Sequence, residues 1–535
     1  MSEETECRKW RRGQVVSMAL LSLIPAAVLT GCRSSWIEPL PGIRVEPTRP
    51  IVKESDLGPE SAYQLLMAAV AEPPGLKLPE GTEATRAWDW SEALDKLHTQ
   101  PWPEELPPPA APAAPAPEWV GFDADGMSRD ADAPWTRAQV LDIQRVLELY
   151  RPRFAMLDRA LAAPDPQMPT MMPDDLDSMA YMPPSRELSQ ALVLSAHCQA
   201  AAGDIAGAYR DLLRGAHLGN LVARGGPLIN GLISGTLLGN SCAAARHISL
   251  RYGGSPDVLR RAAKGYLACA DAMEPVPEIM RAEALFAREG ILRSYSSVLA
   301  DGLADPAKRW QPGSRAGWAL IRFGWLVGST PKRTAGSFDA LSQHMVALAE
   351  QPYSAAIAAS LGDLSQRLDA RGSMVKVLLD TWDPVGCLVA CDTLDVWEHF
   401  PGKFARSRAQ MRGTALFLAI RAYETEHGTL PEQLAQLVPD YLPRVPTDPF
   451  DGKPFRYLRS NVSGLPPEAW AVYSIGEDFI DDGGTAKAAG TVRNDRGVEP
   501  DLVWPSLDYP PLPPPKESEG MFGEWDEQPE METGR

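Results

Sequence analysis

Apolar residues recur at three- and four-residue steps over much of this chain, the pattern of helices that bury one face. Val140, Ile143, Val146, Leu147 and Tyr150 form a first long stripe, in a segment that turns helical at Thr136. Leu188, Ala191, Leu192, Ser195 and Cys198 form a second, and Ala208, Leu212 and Leu213 continue it past a break. At that break Gly203 is expected to close one helix and Asp204 to cap the next. Further helices are expected over 228–248, 257–272, 278–299, 317–326 and 338–350. Another is expected over 374–397, broken or kinked at Pro384, and a last long one over 403–426. Tyr63, Leu65, Leu66 and Val70 give a short helix over 62–71.

After residue 428 the period changes. Leu434, Leu437 and Val438 suit a short helix, and Asp448-Pro449-Phe450-Asp451-Gly452 is a turn-rich segment. Strands are expected over 454–458 and 469–474. The fold class is therefore mainly α: a helical domain over 136–400, then a small α+β module over 401–500 with a short antiparallel sheet. The rest is connective. Residues 32–55, with Pro39, Pro41, Pro47 and Pro50, read as a tether. Residues 56–135 are mixed, with a Pro/Ala-rich linker over 101–117. The end, 501–535, reads as a disordered Pro-rich acidic tail. The hairpin over 188–213 resembles a tetratricopeptide unit, although no 34-residue period recurs.

Charge narrows the partners. Lys plus Arg is 52 against 70 for Asp plus Glu, a net charge of −18 over 535 residues. Nucleic acid is excluded as a partner, because such binding neutralises phosphates with basic side chains.

The first residues carry an address. Arg8, Lys9, Arg11 and Arg12 precede a largely apolar run from Val15 to Leu29, too short for a membrane span of about 20 residues. Leu29-Thr30-Gly31-Cys32 then resembles the lipobox of bacterial lipoproteins. The resemblance implies that residues 1–31 are a signal peptide and that Cys32 is lipidated as the new N-terminus. Arg33 stands where an inner-membrane retention signal would place Asp, which points to the outer membrane, facing the periplasm.

Five words in the C-terminal module occur in the order of another family. They are Ala419-Ile420-Arg421-Ala422-Tyr423, Gly428-Thr429-Leu430-Pro431, Leu437-Val438-Pro439-Asp440-Tyr441-Leu442, Pro446-Thr447-Asp448-Pro449-Phe450 and Val472-Tyr473-Ser474-Ile475-Gly476. Over roughly 80 residues the chain thus resembles the soluble part of type II secretion major pseudopilins. Their prepilin cleavage site and apolar stem are replaced here by a lipobox and a helical domain, so the resemblance implies a docking or folding unit and no filament. It also implies calcium binding in the loop after Gly476, where Asp478 matches a family ligand and Asp481 or Asp482 supplies another. Phe479 stands where the family often has Gly. Clustered carboxylates in a Gly-containing loop suit calcium, and a solvated acidic turn is the other reading.

Other constellations fail on their chemistry. Asp123, Asp125 and Asp132 lack the first and last ligands of an EF-hand loop. Ser373-Met374-Val375-Lys376 matches S-x-x-K without its companion words. The seven histidines form no H-E-x-x-H, and adjacent His197 and Cys198 point about 100° apart on a helix. Cys198, Cys242, Cys269, Cys387 and Cys391 read as buried thiols with no second pair to complete a zinc site. The expectation is a non-enzymatic scaffold or binding protein of the cell envelope, held by a lipid anchor and working with an envelope partner, in the setting of a secretion system. An envelope hydrolase, or a ligand carrier with its site in the helical domain, is the alternative.

Overall fold

The computed structural model describes residues 48–71, 137–164, 166–172, 180–304, 331–369, 384–463, 465–484 and 501–506. They are mainly helical, with one three-stranded antiparallel sheet near the C-terminal end. The helices are α1 (Ala62–Val70), α2 (Arg137–Leu161), α3 (Met182–Ala201), α4 (Ile205–Ala223), α5 (Leu228–Tyr252), α6 (Pro256–Asp271), α7 (Val276–Ala304), α8 (Pro331–Ala349), α9 (Ala355–Asp369) and α10 (Pro384–His427). The segments read as signal peptide, Pro/Ala-rich linker and helix 317–326 lie outside the described residues, as does the tail from 507.

The α3–α4 hairpin forms where local chemistry dictates it. Gly203 takes φ +87°, a left-handed conformation that an L side chain adopts only under strain. The Asp204 carboxylate then accepts the Gly207 N–H at 2.8 Å and caps α4. Inside the hairpin, buried Asp211 accepts the Ser195 hydroxyl at 2.6 Å and pairs with Arg214, which also holds Asp158 of α2. A buried carboxylate is stable here because its oxygens are matched by donors.

Two cores result. One gathers Tyr63, Leu66, Val146, Leu157, Tyr181 and Leu192 from α1, α2 and α3 with its approaches. The other starts on α3 to α6 and continues through α7, α8 and α10 into the sheet, so Tyr266, Phe338 and Phe400 share one cluster with Phe417, Trp470 and Trp504. Helices α4 and α5 lie between the two: Leu212 and Leu238 enter the larger core, Leu218 and Leu237 the smaller. Among the described residues, α5 is the one helix long and apolar enough to cross a membrane. It packs as a core helix against α3, α4 and α10, and its Asn230 amide donates to Tyr181 Oη and the Val222 carbonyl at 2.7 and 2.9 Å.

Three local departures from the pattern have physical causes. The expected boundary between 397 and 403 is absent: α10 runs through Pro401. An interior proline costs about 3 kcal/mol in a lost hydrogen bond and a clash. Burial offsets it, because Trp397, Phe400 and Phe404 around it are all in the core, with Trp397 edge-on to Phe338 at 6.0 Å. Helix α9 escapes the pattern because its Ala-rich start offers only Ile357 and Leu361 as buried apolar residues. The tether is not free over its described part. Val52 and Thr170 clasp each other through Thr170 N–H to Val52 O at 2.8 Å and Val52 N–H to Thr170 Oγ1 at 3.0 Å. Arg49 pairs with buried Glu274 at 2.7 Å, and Thr48 donates to Glu278.

The sheet has β1 (Arg456–Leu458), β2 (Ala471–Ser474) and β3 (Leu502–Pro505), in the order β1-β2-β3. Tyr457 faces Val472 across one ladder, and Val472 faces Trp504 across the other. The two expected strands are present in shortened form, and β3 falls where the pattern begins a tail. Its four residues carry too little periodicity to read as a strand, and a terminal proline is tolerated only because β3 is an edge. Central β2 is buried along its whole length. Helix α10 covers the sheet through Phe417 against Trp470, 5.4 Å between rings, and through Gly413. A side chain at 413 would put its Cβ 2.4 Å from the Trp504 ring, so only glycine admits this approach.

Candidate functional site

The loop that the sequence marks for calcium leaves β2 at Ser474 and returns to the sheet at β3. Its root is a closed knot of charge around Asp448. That fully buried carboxylate accepts from Phe450 N–H at 3.0 Å, Ile475 N–H at 3.0 Å and the Ser474 hydroxyl at 2.9 Å. Arg456 of β1 then pairs with Asp448 at 2.9 Å, grips Asp451, and has Asp481 at 3.6 Å from its Nε. Burial pushes the Asp448 carboxyl up despite these donors, whereas Arg456 holds Asp451 below the usual carboxylate range.

Above this knot Phe479 takes φ +60°. The left-handed region costs an L residue roughly 1–2 kcal/mol, and aromatic contacts with Tyr353 and Phe450 hold it there, at ring separations of 5.6 and 5.9 Å. Phenylalanine thus occupies a glycine-like conformation, secured by the segment between α8 and α9.

The three sequence-marked aspartates have different surroundings. Asp478 turns back on its own backbone, accepting the Ile480 N–H at 3.0 Å. Asp481 accepts the Gly483 N–H and the Tyr473 hydroxyl, both at 3.1 Å. Asp482 lies beside a fourth carboxylate, Asp501, which also feels Asp481 and accepts the Gly484 N–H at 2.7 Å. The other oxygen of Asp501, Oδ1, is buried, with the Asp482 backbone as its weak second donor. Burial is the main reason that this carboxyl is pushed up to about 6. A buried, under-satisfied carboxylate beside two more aspartates is hard-oxygen chemistry of the kind calcium takes. Among the described residues, no three carboxylate, imidazole or thiol groups form a ready metal-binding set. Asp481, Asp482 and Asp501 are thus a foothold that backbone and water oxygens would have to complete, with Asp478 three residues before Asp481 in the same loop. Asp501 was illegible in the sequence: it sits 17 residues beyond Gly484 and comes back only because β3 pairs with β2.

Elsewhere the thiols are quiet. Cys198, Cys242 and Cys269 are free, and burial pushes each up to about 12. His197 faces the His247 ring at 5.3 Å and not its neighbour Cys198. Cys269 lies 3.5 Å from His217, whose imidazole is shifted down by burial. Cys32, Asp123, Asp125, Asp132, Ser373 and Lys376 lie outside the described residues.

A second charge cluster has the opposite sign. Asp271, the last residue of α6, is gripped by Arg444 and has Arg412 of α10 at 3.9 Å. Arg412 is itself fixed by donation to the Thr447 carbonyl at 2.8 Å. Arg408, one turn before Arg412, feels the same carboxylate.

Comparison with known proteins adds no name: no family model matches this chain, nor does any curated protein or solved structure.

Proposed function

We propose that this chain is a non-enzymatic scaffold or binding protein of the bacterial cell envelope, anchored through a lipid on Cys32 to the outer membrane and facing the periplasm. The observation that best supports this reading is the clasp between Arg49, Val52 and the helical body. A chain tied at Cys32 and again at residue 48 keeps its body close to the bilayer, since sixteen residues span at most about 55 Å. Recruitment at a fixed height over a membrane is a scaffold's task. The module's resemblance to pseudopilins supports a protein partner within a secretion machine. Replacing Cys32 with Ser tests the anchor: the variant should leave the membrane fraction, and unchanged membrane association sinks the reading.

Calcium is proposed as a structural ion for the 478–484 loop, held by Asp481, Asp482 and Asp501. Titration calorimetry on the whole chain tests it, because an isolated module would expose the face of α10 that the helical body covers. Asp501→Asn should abolish calcium binding while Asp478→Ala retains it. The reverse result would return the site to the sequence-marked residue.

A further inference from the structure

The chain carries 70 acidic side chains against 52 basic ones, so a guanidinium here has carboxylates to spare. Arg214 holds Asp158 and Asp211, Arg281 holds Glu278 and Glu350, and Arg288 holds Glu289 and Asp339. The cluster at the end of α6 inverts this ratio. Arg412 and Arg444 share the single carboxylate of Asp271, and Arg408, one turn before Arg412 on α10, feels the same charge. Asp448, the next acid, is turned away onto Arg456, Ser474 and the Ile475 N–H.

Several costs accumulate at this place. Arg408 and Arg412 are four apart on α10, where like charges repel. Asp271 ends α6, the helix end that disfavours a carboxylate. Among the described residues Arg412 Nε is buried without a hydrogen-bond partner, and burial pushes the Arg408 guanidinium down. Arg412 is pushed down by burial and by both neighbouring arginines. The rim stays open to water, for the Arg444 and Asp271 side chains are 47% and 43% exposed.

We propose that Arg408, Arg412 and Arg444 form a binding site for a phosphoryl group. Three planar forks around one carboxylate leave a surplus of two positive charges. Guanidinium groups match phosphate oxygens in bidentate pairs and tolerate desolvation better than an ammonium does. The ligand supplies acceptors to the unpartnered Arg412 Nε and relieves the repulsion between Arg408 and Arg412. Arg444 arrives from the loop after the 434–437 turn, so the site spans α6, α10 and that loop. The assignment does not depend on the lipid anchor. Free phosphate esters and anionic lipid headgroups both present this group.

The test uses the full chain and two probes, inorganic phosphate by calorimetry and vesicles of phosphatidylglycerol or phosphatidylcholine by co-sedimentation. Arg408→Gln and Arg444→Gln should each weaken binding roughly ten- to a hundredfold, the worth of a charged hydrogen bond. Arg151→Gln, on the exposed side of α2, removes the same charge elsewhere and should change nothing. Asp271→Asn should tighten binding, which no loss of folding imitates. Phosphate binding with this variant pattern supports a soluble phosphoryl ligand. Binding confined to phosphatidylglycerol vesicles with the same pattern supports a headgroup. No binding of either probe, or equal weakening by Arg151→Gln, overturns the site. Melting curves confirm that the variants remain folded.

Discussion

Two clusters flank the C-terminal part of α10, and they are near mirror images in charge. At the root of the sheet one arginine, Arg456, is shared by Asp448, Asp451 and Asp481. At the end of α6 one aspartate, Asp271, is shared by Arg412 and Arg444, with Arg408 one turn away on α10. The first is closed: Asp448 is fully buried, and two backbone N–H groups and a hydroxyl complete its hydrogen bonds. The second is unfinished: among the described residues Arg412 Nε is buried without a partner, and the rim is in contact with water. Matching of buried donors and acceptors separates a knot that holds a fold from a cluster that waits for a ligand.

The largest expected effect lies in the closed knot. Asp448→Ala strands Arg456 and the donors of Phe450, Ile475 and Ser474, and should cost about 3–5 kcal/mol of stability in urea unfolding. A loss under 1 kcal/mol would mean that the knot is ornamental. Next comes pH, read at Asp501 in calcium-free buffer. Its folded carboxyl titrates near 6 and its unfolded one near 3.8, so the folded state binds the proton more tightly between those values. Stability should therefore fall as pH rises from about 4 to about 6, and Asp501→Asn should flatten that slope. A slope of opposite sign would contradict the burial that drives the shift. The smallest effect belongs to the open cluster. Arg408→Gln removes a like-charge neighbour and no hydrogen bond, so stability should stay within about 0.5 kcal/mol or rise. A loss near that of Asp448→Ala would show the two clusters to be alike, and would make Arg408 a structural residue.

The helical body was legible because its signals are local. Gly203 and Asp204 end one helix and start another through contacts within four residues, and apolar stripes three and four apart mark the buried faces. The strands over 454–458 and 469–474 were legible for the same reason. Strand β3 was not, for its burial comes from β2 and α10 and little of it from its own four residues. Pro401 misled in the other direction. It carries the usual sign of a helix break, and three buried aromatic side chains around it outweigh that sign.

The candidate sites divide along the same line. Asp478, Asp481 and Asp482 were visible as a run of acids, whereas Asp501 comes to Asp481 and Asp482 from the far side of the loop, just before β3. Asp271 and Arg444 meet across 173 positions, and nothing in either neighbourhood announces the other. By itself the sequence determined the helical texture, the α3–α4 junction and which residues seek the interior, because backbone hydrogen bonding and apolar periodicity act over a few residues. Only the tertiary structure decided that α10 serves body and sheet together, which carboxylates lose water, and which arginines must share a partner. Desolvation and Coulomb energy depend on distances that the chain sets by folding, and not on its order.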